Sequence, residues 1–76
     1  MASEDIKLIK TELTDRERTI LKLIADGYRP AEIADDAGVA ESTVRGQLRF
    51  AVAKMGVKTA ERAAIKAKRL GLLDNV

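Results

Sequence analysis

Apolar residues return at three- and four-residue steps along most of the chain, the period of one buried face on an α-helix. The first such stretch holds Ile20, Leu21, Leu23, Ile24 and Ala25, and it is preceded by Thr14 and, three residues later, Glu17. That pair is the signature of a capping box, in which the threonine hydroxyl accepts from the N–H of Glu17 and the glutamate carboxylate accepts from the N–H of Thr14. Leu13, just ahead of the cap, is placed to fold back on Arg18 or Leu21 as a hydrophobic staple. Gly27 is the stop. A second helix is predicted from Pro30 to about Ala37, with proline at the first position, where a missing N–H costs nothing. Ile33, Ala34 and Ala37 form its inner stripe, and Gly38 ends it. A third helix, announced by Glu41-Ser42-Thr43, turns Val44, Leu48, Ala51, Val52 and Met55 inward and stops at Gly56. A fourth starts near Thr59, shows Ala63, Ala64, Ala67 and Leu70, and stops at Gly71. Ahead of them, Ile6, Leu8 and Ile9 suggest a short arm or helical turn packed on the core. No segment alternates with period two, so the expected class is all-α.

Composition narrows the picture. Seventy-six residues allow one domain. With no cysteine and no histidine, disulfides, zinc fingers, thiol nucleophiles and imidazole bases are all excluded. The acids lie on ordinary helix surfaces and form no catalytic constellation, so neither an enzyme nor a metal or other cofactor is expected. No apolar run approaches the roughly 20 residues that span a membrane, and the first ten residues lack a signal-peptide core, which points to an intracellular chain. The only aromatics are Tyr28 and Phe50. Phe50 is expected in the core. Tyr28, after the first helix, suits either a phosphate or the junction between the first two helices.

The net charge of +2 conceals a segregation. Residues 1–41 carry a net −4 and residues 42–76 a net +6, the only acids of the second part being Glu61 and Asp74. A lopsided charge of this kind is either a solvated face or the footprint of a polyanion such as nucleic acid.

The segment Ala34-Asp35-Asp36-Ala37-Gly38-Val39-Ala40-Glu41-Ser42-Thr43-Val44 decides between them. A small residue, a tight glycine turn, an inward Val39 and an inward Val44 fit a helix-turn-helix, and a basic face on the next helix sets aside the alternative, a plain helical hairpin. The following helix presents Arg45 and Arg49 one turn apart.

Five motifs occur in order: Leu13-Thr14-Asp15-Arg16-Glu17, Ile24-Ala25-Asp26-Gly27, Glu32-Ile33-Ala34, Ser42-Thr43-Val44-Arg45 and Lys54-Met55-Gly56-Val57. Together they resemble the LuxR/FixJ-type (GerE-like) DNA-binding domain over about residues 12–73, behind an arm of residues 1–11. The resemblance implies a four-helix bundle whose third helix enters the major groove of double-stranded DNA. It implies a sequence-specific transcriptional regulator, cytoplasmic and associated with the nucleoid. With no receiver or ligand-binding domain in these 76 residues, the chain is similar either to the small stand-alone members of that family or to a domain excised from a longer one.

There are departures. Arg29-Pro30-Ala31 stands where the family often has Ser-Asn-Lys, Gln47 stands where many members have histidine, Gly46 precedes it, and Ala60 replaces a frequent arginine. Base contacts are expected from Arg45 and Arg49, which can pair bidentately with guanine, and from Gly46 and Gln47. Phosphate contacts are expected from Arg29, Ser42, Thr43, Lys54 and Lys58, with Ser42 or Thr43 also capping the third helix. The alanine-rich fourth helix suggests a homodimer through Ala60, Ala64, Ala67 and Lys68. The alternative function class is a sigma-factor region 4-like or anti-sigma module acting through RNA polymerase. That class shares Glu-Ile-Ala and Thr-Val-Arg but not the Lys54-Met55-Gly56-Val57 break.

Overall fold

The computed structural model describes residues 13–74, in four helices: α1 (Asp15–Ala25), α2 (Pro30–Ala37), α3 (Glu41–Met55) and α4 (Ala60–Arg69). The expected arm of residues 1–11, with Ile6, Leu8 and Ile9, lies outside the described residues.

The capping box forms as the sequence predicts. Thr14 N–H donates to Glu17 Oε1 at 2.8 Å, and Glu17 N–H donates to Thr14 Oγ1 at 3.0 Å. Leu13 is buried behind it, and its carbonyl accepts from Arg18 Nη1 at 3.3 Å. Helix α2 begins with Pro30 and a half-box, Arg29 N–H donating to Glu32 Oε1 at 2.9 Å. Thr59 caps α4, its hydroxyl accepting from Arg62 N–H at 3.1 Å. Helix α3 differs from expectation: its N-cap is Ala40, which has no side-chain acceptor. Ser42 and Thr43 fall inside the first turn, past the position from which a hydroxyl can cap, and both are exposed.

All four helices end alike. A glycine at positive φ is followed by a residue whose N–H reaches back to a carbonyl of the last turn: Tyr28 to Leu23, Val39 to Ala34, Val57 to Val52 and Leu72 to Ala67. These are Schellman closures.

One cluster makes the core, with Leu21, Val44 and Met55 as its most deeply buried large side chains and Leu72 and Leu73 packed in after α4. Helix α4 packs on both α1 and α3. Ala51, Ala63, Ala64 and Ala67 are all at most 1% exposed, small enough to let the helices approach closely. The dimer face expected on α4 therefore needs correction. Ala64 and Ala67 belong to the interior of the single chain, and Ala60 is half-buried against the same cluster, which leaves only Lys68 exposed among the four. Ala37 is also corrected. It is exposed, so Ile33 and Ala34 alone make the inner stripe of α2.

A second interaction of Glu17 ties α1 to α3. Its Oε1 accepts from Lys54 Nζ at 2.8 Å, with the carboxylate side chain only 7% exposed and the lysine 28%. At the same end of α3, Lys66 Nζ from α4 donates to the Met55 carbonyl at 2.8 Å, a cation on a helix C-terminus. Burial pushes the Glu17 carboxyl up. The hydrogen bond and charge of Lys54 and the bonds from Thr14 outweigh that and hold it below its ordinary value of 4.5. A depressed folded-state pKa contributes stability that is present above the unfolded value and is lost as pH falls through the folded value. Urea-unfolding stability should therefore drop below about pH 4.5. Lys54→Met should cost about 1.5–3 kcal/mol at neutral pH, as for a hydrogen bond to a charged group, and should lose less in acid than the parent. Identical pH profiles for the two proteins would contradict this role.

Candidate nucleic-acid interface

Helices α2 and α3 pack on one another across the turn Gly38-Val39-Ala40, where Gly38 takes φ 70°. A side chain with a Cβ is strained in that conformation, so glycine sets this turn. Val39 does not point fully inward as expected: it is 39% exposed and lines a shallow groove with Ile33, Asp36, Val44 and Gln47.

Each residue of α3 turns about 100° from the last. Val44, Leu48, Ala51 and Met55 are buried in the core, so Ser42, Gly46, Arg49, Phe50 and Ala53 occupy the opposite arc. Ser42, Arg49, Phe50 and Ala53 are exposed, and Gly46 is half-exposed. Arg45 lies on one flank. Its Nε donates to Glu41 Oε2 at 2.6 Å, and its Nη2 lies at the same distance from that oxygen. This pairing, with both nitrogens on a single oxygen, holds the guanidinium beside the first turn and offsets the charge of the acid there. Gln47 lies on the other flank, half-buried in the groove beside Val39. The four expected base-reading residues thus share one helix, with Gly46 and Arg49 foremost and Arg45 and Gln47 at either side.

The expected phosphate set divides. Arg29 is exposed at the start of α2, Ser42 and Thr43 are exposed in the first turn of α3, and Lys58 is exposed in the turn before α4. The missing side-chain cap on α3 leaves its first N–H groups for an anion to meet. Lys54 is corrected. Its ammonium is held by Glu17 inside the angle between α1 and α3, so its place is in the scaffold. Phe50 is corrected in the opposite sense. It is 67% exposed on the outward arc, although a lone phenylalanine in a small chain is expected inside. Its angular distance from the Val44–Met55 stripe carried that signal. The pairing of Glu17 with Lys54 had no local signal, since 37 residues separate them.

Between Glu41 and Glu61 the chain has no acidic residue, while Arg45, Arg49, Lys54 and Lys58 all lie there. An exposed convex helix with that charge suits the major groove of a duplex.

Residues 11–67 match the family described as bacterial regulatory proteins, luxR family. The chain belongs to the LuxR family. Its relatives include the spore germination protein GerE of Bacillus subtilis, 35% identical over 65 residues that cover 86% of this chain and 88% of GerE. The transcriptional regulatory protein DesR of the same organism is 35% identical over 68 residues, 90% of this chain and 34% of DesR. The DNA-binding transcriptional activator DevR/DosR of Mycobacterium tuberculosis is 40% identical over 58 residues, 76% of this chain and 27% of that protein. This LuxR-family chain therefore spans about a third of DesR but most of GerE. Family membership and the helix-turn-helix agree, and they favour the regulator over the sigma-factor alternative.

Against a bound duplex, Arg45→Ala and Arg49→Ala should each lose discrimination at particular base pairs, about 1–3 kcal/mol per bidentate contact. Lys58→Ala should weaken all sequences alike. Binding assays on matched and mismatched duplexes would show this. An unchanged ratio of specific to random binding in both arginine variants would exclude base reading by α3.

Proposed function

We propose that this chain is a sequence-specific double-stranded DNA-binding transcriptional regulator that inserts the outward face of α3 into the major groove. The observation that carries the reading is the exposed arc of α3, with Arg49 on it, Arg45 exposed at its flank and no acid between Glu41 and Glu61, held on the LuxR-type scaffold. Arg49 and Arg45 read guanine edges, and Gln47 reaches a neighbouring base from the groove side of the helix. Arg29, Ser42, Thr43 and Lys58 fix the register on phosphates. DNA binding places the chain in the cytoplasm with the nucleoid. Among the described residues no helix is long and apolar enough to cross a membrane. RNA polymerase is the second macromolecule such a regulator meets. A two-hybrid signal with polymerase subunits in the absence of any DNA affinity would favour the sigma-like alternative.

The regulator acts as a homodimer. With Ala64 and Ala67 inside the core, the surface of α4 offers a different face, Ile65 at 57% exposure together with Lys68. An exposed isoleucine on a two-fold contact meets its own copy, which supports an isologous interface centred there.

Selection of duplexes from a random pool tests the reading, and the salt dependence of the recovered complex tests its electrostatics. Arg29 and Lys58 are the cations of the phosphate set and account for about two phosphates per protomer, so log K should fall with log salt at a slope of about −1.8 per protomer. A slope near zero would remove the mechanism. For the dimer, Ile65→Glu should keep its helical circular dichroism and its binding to a single half-site while weakening binding to two. Ala67→Glu should unfold the chain, because it buries an unpaired carboxylate. Undiminished two-site binding by Ile65→Glu would move the interface elsewhere.

A further inference from the structure

Four of the five glycines have positive φ and close the four helices. The fifth, Gly46, has neither a conformational nor a steric reason to be glycine. It lies within α3 without positive φ, and a Cβ built on it would meet no atom within 4 Å. Glycine in a helix interior costs stability relative to alanine. A residue that breaks a local preference without internal compensation marks a place where the space itself is used.

That space has a definite character. Gly46, Arg49, Phe50 and Ala53 line a shallow, almost wholly apolar notch on the outward arc of α3. Phe50 forms one wall, 67% exposed and one turn after the glycine. Around the notch the surface is cationic, with Arg45 and Arg49 nearest in sequence and no acid from Ser42 to Ala60. An apolar patch in cationic surroundings fits a polyanion that displays an apolar group. In the major groove that group is the 5-methyl of thymine, which phenylalanine and alanine side chains contact.

We propose that Gly46, Phe50 and Ala53 form a receptor for a thymine 5-methyl group, adding a thymine preference beside the arginine contacts. This rests on the reading of α3 as the groove-entering helix. Phe50 is then a specificity residue, and Gly46 keeps the pocket open. The methyl group packs against the ring and the Ala53 methyl, while Arg49 reads the adjacent base pair.

The test replaces each thymine of a duplex, recovered from a random pool with the full chain, by deoxyuridine. This removes the methyl and preserves every Watson–Crick and groove hydrogen bond. For the parent chain, at least one replacement should weaken binding about fourfold, the effect of unburying one methyl-sized group. The same replacement should have no effect on Phe50→Ala, which has already lost the contact. Gly46→Ala should melt about 4–8 °C higher, because it gains helix propensity, and should show a reduced response to deoxyuridine. The melting readout shows whether each variant is folded. The inference is overturned if no replacement affects the parent, or if Phe50→Ala responds as strongly as the parent. It is also overturned if Phe50→Ala leaves the duplex response intact and abolishes self-association in sedimentation, which would assign the notch to a second copy. If selection recovers no duplex at all, the DNA-binding reading falls, and the receptor falls with it.

Discussion

The arrangement depends on one carboxylate. Glu17 caps the N-terminus of α1 by accepting from Thr14 N–H, and with the same oxygen it holds Lys54 in the last turn of α3. A helix that is to present a fixed set of side chains to a groove must not roll about its axis, since each residue is separated from the next by about 100°. Core packing through Val44, Leu48, Ala51 and Met55 restrains that roll along the length of α3, and the Glu17–Lys54 pair with the Lys66 bond to Met55 restrains its C-terminal end. The pair is nearly buried and still favourable because both partners keep their hydrogen bonds. An unpaired carboxylate in the same place would be costly.

The rest of the fold follows from small residues. The alanines of α3 and α4 fill the interior without keeping the helices apart, so a chain with two aromatics builds a closed core from aliphatic side chains. Leu72 and Leu73, brought inward by the closure after Gly71, complete it. With the interior satisfied in this way, the outward arc of α3 takes no part in the core, and it carries Arg49 and the exposed ring of Phe50, with Arg45 at its flank.

Much of this was legible in the sequence, for physical reasons that are local. The capping box, the proline start of α2 and the four glycine stops each depend on residues a few positions apart, so the sequence pattern defines them. The helix-turn-helix followed from Gly38 and the small Ala34, and the basic face from the positions of Arg45 and Arg49. What was not legible depends on elements far apart in the chain. A stripe of alanines looks the same whether it meets another helix of its own chain or a second copy, and only the packing of α4 on α1 and α3 assigns Ala64 and Ala67 to the interior. Lys54 looks like any lysine near the end of a basic helix until Glu17 is brought beside it. Residue type alone puts Phe50 in the core, while its angular position on α3, outside the buried stripe, determines where it lies. Residue type likewise suggests Ser42 or Thr43 as a cap, but the helix starts at Glu41, before either of them.

In the DNA complex the outward arc of α3 should meet the duplex while its anchoring end stays fixed in the scaffold. Amide and side-chain NMR shift mapping with a selected duplex tests it most directly. The largest shifts should fall at Ser42, Arg45, Gly46, Arg49 and Phe50, with the Lys54 ammonium signal, held by Glu17, almost unmoved. Shifts concentrated on α4, or a Lys54 signal that follows the DNA as strongly as Arg49, would contradict it.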